Sequence, residues 1–123
     1  MRRRAILTAV AGALVALALA VAVQAATKTT LHLQADPSGK IKYNKKTLTA
    51  KAGKVTIVMK NPSSSGLHHG IAVEGKGVDK DGKVVSPGKT STLTLTLKKG
   101  RYTFYCNFDG HKGLGMKGTL VVK

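Results

Sequence analysis

The sequence predicts an all-β protein, an antiparallel Greek-key β-sandwich of about seven to eight strands. Apolar residues recur at every second position in several short segments, which is the period of a strand with one buried face. Clusters of Gly, Pro, Ser, Asn and Asp separate these segments, as expected for tight connections. No convincing helix follows residue 26. Short strands with one apolar face each are typical of two sheets that pack against each other.

The first 25 residues are predicted to be a signal peptide and not part of the sandwich. Three arginines follow Met1, residues 5–23 form an uninterrupted run rich in Ala, Val and Leu, and Val23-Gln24-Ala25 resembles an export-peptidase site. We expect a single domain over residues 26–123, of a size common for one hydrophobic core. An uncleaved membrane anchor is the alternative, because the run is long enough to cross a bilayer. The arginines also loosely resemble a twin-arginine export signal.

Five segments after the signal peptide alternate apolar and polar residues most clearly. Taken in chain order, their predicted inward-facing residues are Leu31 and Leu33, then Val55, Ile57 and Met59, then Leu93, Leu95 and Leu97, then Tyr102 and Phe104, and finally Leu120 and Val122. The third segment is the most regular, because threonine occupies every polar position from 92 to 96. Residues 75–89 contain Gly, Lys and Asp without periodicity, and are predicted to form a long exposed connection.

The composition is strongly basic, with 21 Lys and Arg against 5 Asp and Glu. Without the three arginines of the predicted signal peptide, 18 cationic residues face the 5 acidic ones, a net charge of +13. Such a charge attracts anionic partners. Export argues against nucleic acid and favours an acidic redox partner protein, an anionic membrane or the cell wall. A generic solvated basic surface is the alternative. We expect a monomer.

Cys106 is the single cysteine, so the predicted exported domain has no internal disulfide. Either burial or metal ligation explains an isolated thiol. The segment from 106 to 116 favours ligation, because it spaces a thiol, an imidazole and a thioether along one loop at Cys106, His111 and Met116. Two histidines and a cysteine in a trigonal arrangement, with a weak axial methionine, form a blue-copper site.

The second imidazole has two sources, His68 and His69. In the segment that contains them, the odd positions carry Ile71 and Val73, and the even positions end at Glu74. A glutamate is almost never fully buried unless it is paired, so the odd positions face the core. His69 is therefore predicted to point inward and His68 outward. The sequence thus predicts one copper ion per chain, held by His69, Cys106, His111 and Met116.

Two stretches resemble the plastocyanin- and azurin-like blue copper proteins, the cupredoxins. They begin at His69-Gly70-Ile71-Ala72-Val73 and at Gly100-Arg101-Tyr102-Thr103-Phe104-Tyr105-Cys106, the second continuing through Gly110-His111 and Gly115-Met116. The resemblance covers nearly all of the chain after the signal peptide. It implies the same four ligands and a soluble one-electron carrier between redox partners.

Two positions depart from the family pattern. Gly70 stands where the family usually has an asparagine that ties the two ligand segments together, and Asp109 stands where a proline often precedes the Gly-His pair. Both changes are expected to loosen the site or to add negative charge near the copper. We therefore expect them to alter the reduction potential and leave the ligands unchanged.

The same resemblance places the partner surface at the ligand loop. Leu114 and Gly113 are expected to form an apolar patch beside His111, with Lys112 and Lys117 at its rim. An exported copper-handling protein without electron transfer is the alternative function, since it requires the same ligands. An enzyme is not expected, because the two remaining histidines, at positions 32 and 68, do not form the paired arrangement of a second catalytic metal.

Overall fold

The computed structural model describes residues 27–123 and confirms the all-β fold class. Apart from one turn of 3-10 helix at Ser63–Ser65, its regular elements are strands. The eight strands are β1 (Lys28–Gln34), β2 (Thr47–Ala50), β3 (Gly53–Lys60), β4 (Ala72–Gly75), β5 (Val78–Asp81), β6 (Thr90–Leu97), β7 (Gly100–Tyr105) and β8 (Lys117–Val122).

The strands form two sheets. One has three strands in the order β1-β3-β6, and the other has five in the order β2-β8-β7-β4-β5. The β1–β3 and β2–β8 pairs are parallel, and the other four pairs are antiparallel. The sheets are therefore mixed, whereas the sequence predicted an antiparallel sandwich. The first parallel pair arises because β2 lies in the opposite sheet, so the chain leaves β1, crosses over and returns in the same direction.

The core forms where the apolar faces of the two sheets meet. On β6 every second residue is buried and the threonines between them are exposed. The inward-facing residues predicted for β1, β3, β6, β7 and β8 are all buried, except Leu31, which is half-buried in the middle of β1. The alternation in the sequence therefore reports the correct face of each of these strands.

Two strands were not predicted. β5 lies within residues 75–89, which were expected to be an exposed connection, and it pairs with β4 at the edge of the five-stranded sheet. Only Val78 on β5 is even half-buried, so this edge strand has no apolar alternation to detect. β2 buries Leu48 and Ala50 alone, and two apolar positions are too few to define a period.

The predicted signal peptide, residues 1–25, lies outside the described residues, so its identity and cleavage stay predictions. Within residues 27–123, no helix is both long and apolar enough to cross a membrane.

Candidate metal centre

The four predicted ligands lie where strands end at one pole of the sandwich. His69 precedes β4 and is fixed by two backbone hydrogen bonds with Val85, its N–H donating over 3.1 Å and its carbonyl accepting over 2.8 Å. Cys106 directly follows β7, and Met116 directly precedes β8. The backbone N–H of Cys106 donates to the carbonyl of Met116 over 3.0 Å. The β7–β8 pairing therefore closes the base of the ligand loop.

The ligand loop is a compact series of turns. The carbonyl of His111 accepts from the N–H groups of Leu114 and Met116, both over 3.1 Å, and so curls the chain around the histidine. Asp109 has a positive φ of 42°. Proline is fixed near a φ of about −65° and cannot adopt this conformation, whereas aspartate tolerates it. The turn geometry therefore accounts for the aspartate at a position where related sequences often carry proline.

Three donor atoms converge at this pole. The Nδ1 atoms of His69 and His111 lie 3.2 Å apart, and the Sγ atom of Cys106 lies 3.8 Å from the first and 3.6 Å from the second. A point equidistant from these three atoms is about 2.1 Å from each, within the range of metal–nitrogen and metal–sulfur bonds of about 2.0–2.3 Å in zinc sites. The triangle therefore has the right size for one metal ion.

Burial separates the two adjacent histidines. His69 is fully buried and His68 is exposed, which is the orientation that the alternation predicts. His111 and Cys106 are also buried. Met116 is fully buried and belongs to the same apolar cluster as Cys106. Within the described part of the chain, His69, Cys106 and His111 are the one group of three His, Cys or acidic residues close enough to share a metal ion.

The electrostatic environment favours the uncharged forms of His69 and Cys106 when no metal is bound. Burial, and secondarily the neighbouring His111 and His68, lower the pKa of His69 to about 4, so the imidazole is neutral at physiological pH. Burial raises the pKa of the Cys106 thiol, although hydrogen bonds from the N–H groups of Gly70 and Phe108 oppose this shift. A neutral imidazole is ready to bind a metal, whereas the thiol must release its proton on binding.

Two residues that the sequence reasoning missed lie directly against the site. The Tyr43 hydroxyl donates to the carbonyl of Gly70 over 2.5 Å, and the N–H of Gly70 donates to Cys106 Sγ over 3.4 Å. The Asn107 amide donates to the carbonyl of Gly82 over 3.0 Å. Neither residue belongs to a regular apolar pattern, so the sequence held no signal for its role. Gly70 therefore lies between the phenol of Tyr43 and the sulfur of Cys106.

The outer surface of the site is aromatic as well as aliphatic. The Phe108 ring packs edge-on against His111, with centroids 5.1 Å apart, and the exposed His68 ring has its centroid 5.6 Å from that of Phe108. Leu114 is 66% exposed. The predicted apolar patch therefore contains Leu114 but also includes Phe108, which the sequence reasoning did not assign.

The sequence led us to expect that Lys112 lies at the rim of this patch. In the structure its charge is paired with another side chain. Its ammonium group pairs with Glu74 on β4 and lies 4.4 Å from the centroid of the Tyr105 ring. Glu74 thus partly neutralises the charge of Lys112. Lys117 at the start of β8 is exposed.

Comparison with known proteins agrees with the fold. Residues 8–122 match the cupredoxin-like domain family. The chain belongs to the cupredoxin-like family. The resemblance drawn from the ligand motifs is thereby confirmed. No curated protein matches this cupredoxin in sequence.

Solved structures share the fold at low sequence identity. Auracyanin B superposes with a TM-score of 0.69 at 21% identity, over 81% of this chain and 91% of that one. Auracyanin A from Chloroflexus aurantiacus, described as a blue copper protein, gives 0.63 at 23% identity, over 79% of this chain and all of that one (100%). A copper nitrite reductase from Nitrosomonas europaea gives 0.59 at 22%, over 79% of this chain but only 41% of that one.

The donor set also identifies the metal. Thiolate and thioether are soft ligands that suit copper in its reduced state, and imidazole binds both oxidation states. In a cupredoxin, His69, Cys106, His111 and Met116 at one pole form a single copper site.

Proposed function

We propose that this cupredoxin is an exported one-electron carrier in which His69, Cys106 and His111 bind copper through Nδ1, Sγ and Nδ1, and Met116 is the weak axial ligand. The observation that supports this most directly is the convergence of those three atoms within 3.2–3.8 Å of one another. When bound, copper supplies a one-electron redox couple. The soft sulfur donors and the trigonal arrangement favour copper over zinc, which prefers a tetrahedral site.

The protein contributes a site that changes little between oxidation states. Cys106 and Met116 are anchored at the ends of paired strands, His69 is fixed to Val85, and the turns of the loop hold His111. All four side chains are buried, so water has little access to the donors. Ligands that are held before the metal arrives limit the rearrangement that accompanies each electron transfer.

Electrons are proposed to enter and leave through the edge of His111. This imidazole approaches the surface beneath Phe108, and the exposed Leu114 lies on the same loop. A partner that covers this apolar surface would approach the copper ligand without crossing the sandwich. The excess of lysine favours a partner with an acidic docking face.

An electron carrier is favoured over an enzyme because the described residues supply one metal-binding group alone. The copper nitrite reductase that shares the fold is a longer chain, and this chain matches 41% of it. The basic, apolar N-terminal segment supports export to the periplasm or the cell surface.

Titration of the purified protein with one equivalent of cupric ion tests the proposal. We expect an intense blue absorption band from charge transfer between the Cys106 thiolate and copper. Cys106→Ser should abolish the band and leave the sandwich folded by circular dichroism. A reversible reduction potential and fast self-exchange should accompany the colour, which separates an electron carrier from a copper-handling protein.

The two adjacent histidines provide a matched control. His68→Ala removes an exposed ring and should keep the blue band, whereas His69→Ala removes a buried Nδ1 donor and should eliminate it. A wild-type protein that binds cupric ion but stays colourless would refute the proposed site. The reverse behaviour of the two histidine variants would show that the ligand is His68.

A further inference from the structure

We propose that Asn107 is a positioning residue that fixes the spacing between His69 and Cys106, by filling the space next to Gly70 before copper binds. This inference rests on the proposed copper function, because it concerns the geometry of the same ligands. Three observations carry it: the space beside Gly70, the two ends of the Asn107 amide, and the position of Gly70 between two ligands.

The Asn107 side chain occupies the place of a side chain at position 70. A Cβ atom added to Gly70 would lie 2.1 Å from Asn107 Oδ1 and 3.2 Å from its Cγ. Gly70 does not have a left-handed backbone, so its conformation does not require glycine. The carbonyl end of Asn107 is the group nearest to the added Cβ, and a Val84 methyl lies next at 3.2 Å. Asn107 and Gly70 therefore fit each other as a pair.

The two ends of the Asn107 amide touch two different segments. Nδ2 donates to the carbonyl of Gly82 over 3.0 Å, and the N–H of Gly82 donates in turn to the carbonyl of Ile71 over 2.7 Å. Oδ1 is buried against Gly70 and has no hydrogen-bond partner among residues 27–123. The amide is thus held in one orientation, with its donor end bonded and its carbonyl end packed.

This contact joins the two segments that carry the ligands. Asn107 follows Cys106, and Gly70 follows His69, so the Asn107–Gly70 contact spans the gap between the two donors. The Gly70 N–H also donates to Cys106 Sγ. A shift of Gly70 would therefore change both the hydrogen bond to the sulfur and the distance between His69 and Cys106.

The departure from the family pattern at Gly70 thus has a structural counterpart. An asparagine at position 70 would tie the ligand segments from one side, and Asn107 makes the tie from the other. In this proposal Asn107 keeps the site from loosening, whereas the sequence alone led us to expect that Gly70 loosens it. Side chains that orient metal ligands typically change metal affinity by about 10- to 100-fold when they are removed.

A double-mutant cycle with Gly70→Ala and Asn107→Ala tests the proposal. Three quantities are measured: the urea unfolding of the metal-free protein, the blue absorption band of the copper-loaded protein, and the rate at which copper dissociates. Asn107→Ala should release copper about 10- to 100-fold faster and shift the blue band. Gly70→Ala should release copper faster still and should be less stable, because the new methyl group collides with Oδ1 of Asn107. The double variant should release copper no faster than Asn107→Ala, because the new methyl group occupies the space that the asparagine leaves. The Val84 side chain, 3.2 Å from the new methyl group, is exposed and can move aside.

Asn44→Ala is the matched control. Asn44 is exposed, and its Oδ1 accepts the N–H of Gln34 over 2.9 Å. Its removal should leave the blue band and the copper release rate unchanged. If Gly70→Ala does not fold, the double variant still tests the coupling. A double variant that folds as well as Asn107→Ala would show that removing Asn107 makes Gly70→Ala tolerable.

The outcomes separate this inference from the proposed function. Additive effects of the two substitutions, or a less stable Asn107→Ala protein with an unchanged blue band, would overturn the positioning role while the copper function stands. A colourless wild-type protein whose metal-free unfolding still shows the coupling would refute the copper function, and with it a role for Asn107 in copper binding.

Discussion

At the scale of single residues, the surroundings of Gly70 connect a buried phenol to the copper ligands. Tyr43 is buried, and burial raises the pKa of its hydroxyl, so the group stays protonated and acts as a hydrogen-bond donor. It donates to the Gly70 carbonyl, and the N–H of the same residue donates to Cys106 Sγ. Hydrogen bonds around the cysteine sulfur tune the potential of blue-copper sites. Tyr43 therefore acts on the sulfur through the position of Gly70.

The substitution Tyr43→Phe should lower stability and shift the blue absorption band. Without the hydroxyl, the Gly70 carbonyl is buried and unpaired, a change that costs about 1–3 kcal/mol. Tyr102→Phe is the matched control, because the Tyr102 hydroxyl also donates to a backbone carbonyl, that of Lys98 over 2.8 Å. It should lower the unfolding free energy without moving the band. Identical spectra for the two variants would contradict the link from Tyr43 to the sulfur.

The sequence predicted the proposed ligands but not the residues that lie against them. His69 and Cys106 were predictable because alternation along one strand reports which side chains face the core, whatever their distant neighbours are. Tyr43 bonds to a residue 27 positions away, and Asn107 to one 25 positions away. Such contacts depend on which loops the folded chain brings together. No local pattern in the sequence records that choice.

At the scale of elements, how well the sequence predicts a strand depends on how that strand is buried. β6 pairs with β3 over its full length and alternates buried and exposed residues without interruption. β5 has no apolar face because it pairs at an edge and its side chains are mostly exposed. Parallel pairing could not be predicted from the sequence either, because the burial pattern of a strand does not depend on the direction of the neighbouring strand.

The paired strands β3 and β6 give a quantitative test of this view. Ile57 is fully buried opposite Leu93, so Ile57→Ala should lower the unfolding free energy by about 2–5 kcal/mol. On the opposite face of the same pair, the hydroxyls of Thr56 and Thr94 lie 3.0 Å apart and exposed. Thr94→Ala should change the unfolding free energy by no more than about 0.5 kcal/mol. Urea denaturation measures both, and similar losses would mean that the two faces of the sheet are not packed as described.

At the scale of the whole molecule, the charge is unevenly distributed. Three of the five acidic residues, Glu74, Asp79 and Asp81, lie on the β4–β5 hairpin, whereas basic residues occur throughout the chain. Lys112 is paired with Glu74, but Lys117 is exposed and has no ion-pair partner within residues 27–123. The net field should therefore attract anionic partners towards most of the surface, with Lys117 contributing more than the Lys112–Glu74 pair near the ligand loop.

Electron transfer from the reduced protein to the anion hexacyanoferrate(III) should accordingly slow as salt is added. Charges more than about 8–10 Å apart are screened at physiological ionic strength, so the long-range part of the attraction is lost. Lys117→Ala should slow the reaction several-fold at low salt, and Lys112→Ala should slow it as well, because removal of that ammonium group leaves the Glu74 carboxylate uncompensated. Neither variant should alter the absorption spectrum, because neither side chain is a proposed ligand.

Leu114→Glu tests whether the electron leaves at the loop face. It places a negative charge on the exposed patch that contains Leu114 and Phe108. The reaction with hexacyanoferrate(III) should slow, and the reaction with the cation tris(phenanthroline)cobalt(III) should become faster, since a local charge acts with opposite sign on the two reagents. Stopped-flow measurements at several salt concentrations distinguish this from a general loss of activity, which would slow both. Equal rates for wild type and variant with both reagents would place the electron exit away from Leu114 and His111.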